Sequence, residues 1–122
     1  MIPHAYIVDD EDVVRRSLTR LIHAMGIPST AFASGEGFLD AYTGAERGCL
    51  LVDIRMPGMS GVDLLEELRR RGCTLPAIVI TGHTDEGSSL RLASLRITGL
   101  LEKPFSLAQL REMLARCEAP TR

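Results

Sequence analysis

The stretch Cys49-Leu-Leu-Val-Asp-Ile-Arg-Met-Pro-Gly-Met-Ser-Gly-Val-Asp-Leu-Leu-Glu-Glu-Leu-Arg-Arg-Arg71 decides the fold. It opens with Cys49–Val52, a continuous apolar run without polar alternation, as in a strand covered by helices on both faces. Asp53 ends that run, and a loop containing Pro57 and Gly58 follows. From Ser60 to Arg71 the apolar residues Val62, Leu64, Leu65 and Leu68 recur at helical spacing. Glu66–Arg70 and Glu67–Arg71 lie one turn apart as supporting ion pairs. The run Arg69-Arg70-Arg71 falls at the helix C-terminus, where cations suit the dipole, and is read that way rather than as a nucleic-acid patch. Strand, loop and amphipathic helix make one β-α unit.

The same unit recurs on either side. Ala5–Val8, Ala77–Ile80 and Leu100–Leu101 with its flanks read as further short strands, and Ser29–Phe32 as a weaker one at an edge. Between them, Asp12–Met25 carries Val13, Val14, Leu18, Leu21, Ile22 and Met25 as one apolar stripe. Glu36–Tyr42 and Glu86–Leu95 are weaker helical stretches. Ser106-Leu-Ala-Gln109 is a capping box that opens a last helix running to about Cys117. The order is β-α five times over, which predicts an α/β doubly wound sheet with helices on both sides. Sheets of this kind bind ligands outside the carboxyl ends of their strands.

The 122 residues fit one compact domain, assigned to residues 1–118, with 119–122 as a tail or the start of a linker. Fourteen basic and 16 acidic residues give a net charge of −2, so nothing electrostatic argues for nucleic-acid or membrane binding by this segment. No apolar run approaches the roughly 18 residues of a membrane span. Asp9 and Asp10 stand where a signal peptide is apolar, so a cytoplasmic location is expected. Cys49, Cys73 and Cys117 are odd in number and form no C-x-x-C. They are expected to be reduced, mostly buried thiols rather than a metal or redox site. His4, His23 and His83 likewise lack metal-ligand spacing.

The strand ends carry the chemistry. The first ends in Asp9-Asp10, the third in Asp53, the fourth in Thr81 and the last in Glu102-Lys103-Pro104. Taken singly, such residues usually cap helices or face water. Together they are complementary. Three crowded carboxylates raise one another's pKa unless a cation neutralises them. Mg²⁺, with Mn²⁺ as a substitute, suits a few carboxylates and keeps waters that phosphate oxygens can replace. Lys103 offers a compact charge and Thr81 a hydroxyl, both fitted to phosphoryl oxygens. A carboxylate nucleophile can form an aspartyl-phosphate. The set predicts phosphoryl transfer to an aspartate.

Four stretches carry a resemblance: Tyr6-Ile-Val-Asp-Asp-Glu11, Leu51-Val-Asp-Ile-Arg-Met-Pro-Gly-Met-Ser-Gly61, Ile78-Val-Ile-Thr-Gly-His83 and Glu102-Lys-Pro-Phe105. In this order they resemble response regulator receiver domains of the CheY-like superfamily, most closely the FixJ-type receivers. The resemblance implies a flavodoxin-like sheet of five parallel strands in the order 2-1-3-4-5. It implies that Asp53 takes a phosphoryl group from the phosphohistidine of a sensor histidine kinase, and that the domain catalyses only its own phosphorylation and dephosphorylation. Mg²⁺ would be held by Asp9, Asp10, Asp53 and the backbone carbonyl of Arg55. Lys103 would pair with the acceptor and then with the phosphoryl group, and Thr81 would swing inward to a phosphoryl oxygen. Arg55 and His83 match the variable positions that tune dephosphorylation. Pro57 and Gly61 match positions that shape the loop after the acceptor strand, and Pro104 one where the Lys-Pro bond is commonly cis. A C-terminal DNA-binding output domain outside this chain and a homodimer formed on phosphorylation are the further partners implied.

Two features depart from the family pattern. Leu100 stands where an aromatic usually rotates inward, and Arg96-Ile97 where a Gly-Ala pair usually turns the chain. With the Gly/Ser-rich Asp85–Ser89 nearby, they predict a structural response concentrated in residues 82–89 and the start of the helix that follows. The same departures motivate an alternative, a receiver-like interaction module that works without phosphorylation. A flavodoxin-type electron carrier shares the fold, but Asp9-Asp10-Glu11-Asp12 would repel a cofactor phosphate. A phosphatase with an aspartate nucleophile needs a second carboxylate where Arg55 stands.

Overall fold

In the computed structural model, which describes residues 2–82 and 91–118, the strands form one sheet in the order β2-β1-β3-β4-β5. They are β1 (Ala5–Val8), β2 (Ser29–Phe32), β3 (Cys49–Asp53), β4 (Ala77–Thr81) and β5 (Gly99–Glu102), every adjacent pair parallel. The expected doubly wound architecture and strand order are the observed ones. β3 and β4 are buried along their whole length, as continuous apolar runs require, whereas no residue of β2 is buried at its edge position.

Alternate residues of β1, β3 and β4 feed two separate cores. Ile7, Leu51, Ile78, Ile80 and Leu101 pack with Leu18 and Ile22 of helix α1 (Asp12–Ala24) and Leu110 and Leu114 of helix α4 (Leu107–Glu118). On the other face Val8, Leu50, Val52 and Val79 pack with Phe38 of helix α2 (Gly35–Ala41) and Leu64, Leu65 and Leu68 of helix α3 (Gly61–Arg70). Period-two side-chain alternation thus turns one apolar strand into two buried surfaces. Residues 91–93 are also helical and the helix ends there rather than at Leu95; the first half of the helix expected over Glu86–Leu95, and the whole of Asp85–Ser89, lie outside the described residues.

The α1 stripe is narrower than expected. Val13 is 74% exposed, because five residues separate it from buried Leu18, roughly 140° around the helix. The pairing on α3 also differs. Glu67 binds both Arg70 and Arg71, while Glu66 reaches Arg91 at 2.6 Å instead of Arg70. Arg69 donates to the carbonyls of Leu95 and Cys73, so the arginine run is spent on local structure. Two reciprocal capping boxes fix helix starts. Ser60 and Asp63 form a reciprocal box on α3, and Ser106 and Gln109 form the expected one on α4.

Arg96 is the described non-glycine residue with a left-handed backbone (φ 54°), which explains why glycine suits that turn better. Leu100 is 46% exposed on β5, so it is not a core residue. All three cysteines are free thiols, with Cys49 and Cys73 buried. Among the described residues no helix is long and apolar enough to cross a membrane.

Candidate functional site

The strand order reverses at β1, whose neighbours are β2 on one side and β3 on the other. The crevice outside the carboxyl ends of β1 and β3 is where such sheets take ligands. Parallel register brings the site residues there together. Asp53 ends β3 and pairs with Ile80, and Thr81 ends β4 and pairs with Glu102. Asp9 follows β1, and Lys103 follows β5 with its N–H donating to the Thr81 carbonyl at 2.8 Å. Asp9 and Lys103, 94 positions apart in the sequence, thus reach one rim because each leaves a strand at the same level.

Asp9, Asp10 and Asp53 each present a carboxylate oxygen within 4.8 Å of the others. Asp9 and Asp53 are buried and Asp10 is exposed. The Lys103 ammonium lies 3.5 Å from Asp53 Oδ2 and 4.0 Å from both Asp9 Oδ2 and Glu11 Oε1. One cation therefore faces three acids. The Asp53 Oδ1 atom accepts from the Arg55 N–H at 3.3 Å, so Arg55 touches Asp53 through its backbone while its side chain is exposed. Thr81 is buried at the end of the neighbouring strand β4.

Asp9 shows what the crowding costs. Its Oδ1 accepts from the Glu11 N–H at 2.8 Å, but its buried Oδ2 has no hydrogen-bond partner. Burial pushes its carboxyl up to about 6, against the Glu11 N–H, with the Asp53 charge adding to the rise and Lys103 opposing it. An orphaned carboxylate oxygen, a buried acid and an exposed acid on one rim fit a hard divalent cation with oxygen ligands.

Gly61 holds the loop close to this rim. A Cβ there would fall 2.2 Å from the Asp53 carbonyl oxygen, so only glycine lets α3 start against the end of β3. Pro57 lies in the same loop and is exposed, and the Lys103-Pro104 bond is cis. His83 lies outside the described residues. Sequence reasoning missed two contributors. Glu11 shares Lys103 with the aspartates, and Arg15 donates to the Asp9 carbonyl at 2.7 Å while pairing with Asp12. The Asp-x-Glu turn before α1 signals the first, since aspartate readily accepts from the N–H two residues on. Nothing in the local pattern points an arginine six residues on at a strand-end carbonyl.

Residues 5–115 match the family of response regulator receiver domains. The chain belongs to that family. Over 100 residues this receiver is 43% identical to the transcriptional regulatory protein FixJ of Azorhizobium caulinodans, covering 82% of this chain and 47% of that protein. It is 39% identical over 103 residues to the DNA-binding transcriptional regulator NtrC of Klebsiella pneumoniae, covering 84% and 22%. The solved structure of FixJ-N superimposes with a TM-score of 0.89 at 34% identity over 100% of this chain and 98% of that one. The receiver spans about half the length of FixJ and about a fifth of NtrC. Response regulator receivers are signalling modules of two-component systems, and these relatives are transcriptional regulators.

Proposed function

We propose that this receiver, residues 1–118 followed by a tail or linker at 119–122, takes a phosphoryl group onto Asp53 from the phosphohistidine of a sensor histidine kinase. The observation that carries the proposal is Asp53 Oδ2 lying 3.5 Å from Lys103 Nζ within an aspartate cluster that spans no more than 4.8 Å. One Asp53 oxygen attacks phosphorus, the P–N bond to the histidine breaks, and an acyl phosphate forms. Lys103 offsets charge first on the acceptor and then on the phosphoryl oxygens, and the Thr81 hydroxyl donates to one of those oxygens.

Asp9, Asp10, Asp53 and the Arg55 carbonyl are the proposed Mg²⁺ ligands. Bound there, the ion neutralises charge on the acceptor and the phosphoryl group. Arg55 and His83 are assigned as modulators of dephosphorylation, and Pro57, Gly61 and Pro104 as shapers of the surrounding loops. The switched receiver acts on a C-terminal DNA-binding output domain outside this chain, or through a phosphorylation-dependent homodimer, in the cytoplasm. The relation to FixJ and NtrC supports this output.

Incubation with acetyl phosphate and Mg²⁺ gives one phosphoryl increment by mass spectrometry, absent in Asp53→Asn. An increment that persists in that variant rejects Asp53 as the acceptor. A wild type that takes no phosphoryl group under these conditions, yet binds its output partner, favours the phosphorylation-independent module instead.

A further inference from the structure

We propose that Cys117 and Cys49 form a peroxide-driven, reversible disulfide that ties the last helix to the start of the acceptor strand. The two residues are 68 apart in sequence, yet their sulfurs lie 2.7 Å apart, well inside ordinary non-bonded contact. Cys49 opens β3 and is fully buried in the core on the α1–α4 face. Cys117 sits in the final turn of α4, partly exposed, and packs against the same core. Side chains from two separate elements therefore already point at one another. A disulfide requires that arrangement, since its sulfur atoms must come within about 2.05 Å.

The surroundings assign a role to each thiol. Cys117 lines a cavity of about 540 Å³ whose wall includes Arg69, Arg96, Arg116 and Thr98. Thr98 Oγ1 lies 3.8 Å from Cys117 Sγ. A sulfur reachable from solvent, beside a hydroxyl and a wall bearing cationic side chains, is the kind that ionises and attacks. The contact with Cys49 lowers the Cys117 thiol from its ordinary value, against burial, and the same contact together with burial raises Cys49. Cys117 is thus the attacking thiolate and Cys49 the resolving thiol.

The oxidant is hydrogen peroxide or an organic hydroperoxide. The Cys117 thiolate attacks one peroxide oxygen, the O–O bond breaks, and with one proton taken up the products are a sulfenic acid and water or an alcohol. Cys49 then loses its proton and attacks the sulfenic sulfur. The S–S bond forms, the S–O bond breaks, and hydroxide leaves with that proton as water. Both thiols are oxidised by one electron each and the peroxide is reduced by two. A dithiol reductant reverses the product by exchange.

Cys73 provides an internal control. It lines the same cavity and meets the same oxidant, but it packs in the core on the opposite face of the sheet, with Phe38 and Leu68. The pair also sits at the far end of β3 from Asp53, so failure of the thiol chemistry and failure of the phosphoryl chemistry are read separately.

The test treats the native reduced chain with hydrogen peroxide, blocks remaining thiols with iodoacetamide under denaturing conditions, and maps peptides without reduction. The expected product has lost the mass of two hydrogen atoms, carries one alkylated cysteine, Cys73, and yields a Cys49–Cys117 linked peptide that dithiothreitol separates. In Cys49→Ala, dimedone traps a sulfenic acid on Cys117. In Cys117→Ala, Cys49 stays an alkylatable thiol. Retention of three alkylatable thiols in the treated wild type overturns the proposal. A linkage to Cys73, or one found only between chains, overturns it equally, and the wild-type map decides even where a variant fails to fold.

Discussion

At the scale of single residues, the site is an electrostatic problem with one unfinished term. Asp9 is buried with one oxygen held by the Glu11 N–H and the other without a hydrogen bond, and Lys103 at 4.0 Å is too distant to supply one. One lysine cannot neutralise Asp9, Asp53 and Glu11 together, so the cluster favours a divalent cation. The expected outcome is that Mg²⁺ binds the unphosphorylated receiver and raises its melting temperature, because it binds the folded chain and not the unfolded one. Binding at a hundredfold excess over Kd stabilises by about 2.7 kcal/mol. Asp10→Asn removes an exposed acid without disturbing the buried ones, and it should abolish both the titration signal and the thermal shift. Unchanged Mg²⁺ binding in Asp10→Asn would place the ion elsewhere. The acids, Thr81 and Lys103 were legible from the sequence because each ends a strand or follows one within two residues, and parallel register carries strand ends to one rim. Glu11 and Arg15 were not, because their contacts depend on how α1 leans over the end of β1.

At the scale of elements, local signals located every strand of the sheet and the capping box at Ser106, but the box at Ser60 and the pairings between elements escaped them. Glu66 was expected to bind Arg70 one turn on. Instead Asp63 and Glu66 both bind Arg91, 2.7 Å and 2.6 Å away, joining α3 to the helical residues at 91–93. An arginine with two acids in reach outside its own helix outcompetes a single i,i+4 contact, and sequence spacing cannot reveal that partner. The Arg91 guanidinium holds the Asp63 and Glu66 carboxyls below their usual range. A carboxyl with a lowered folded-state pKa adds stability above its unfolded value and loses it as pH falls through its folded value. Arg91→Ala should therefore melt below wild type at neutral pH, with the gap closing in acid below about pH 3. Thermal melts across that range check this. An undiminished gap in acid would mean that Arg91 acts through packing of its stem rather than through charge.

At the scale of the whole molecule, the question is which part answers phosphorylation. A two-state element needs alternatives that the modified acceptor distinguishes. Leu100 offers little of that. It has no ring, and nearly half of its surface is already exposed, so an inward and an outward position differ little for it. Arg96 shows that the turn into β5 is fixed by its surroundings, since a non-glycine residue keeps a left-handed backbone only where the structure around it imposes one. Thr81 is different: under the proposed function its hydroxyl would gain a phosphoryl oxygen only in the modified protein, and the sequence that follows it is rich in glycine and serine. That composition lowers the cost of changing backbone angles. Displacement at Thr81 should pass into residues 82–89 and the start of the helix beyond, while β5 stays as it is. Amide hydrogen exchange with and without beryllofluoride, a phosphoryl mimic, reads each segment separately. Protection should change across residues 82–96 and remain constant across 100–103. A change confined to 100–103 would return the switch to β5 and show that a leucine there does what a ring does in other receivers.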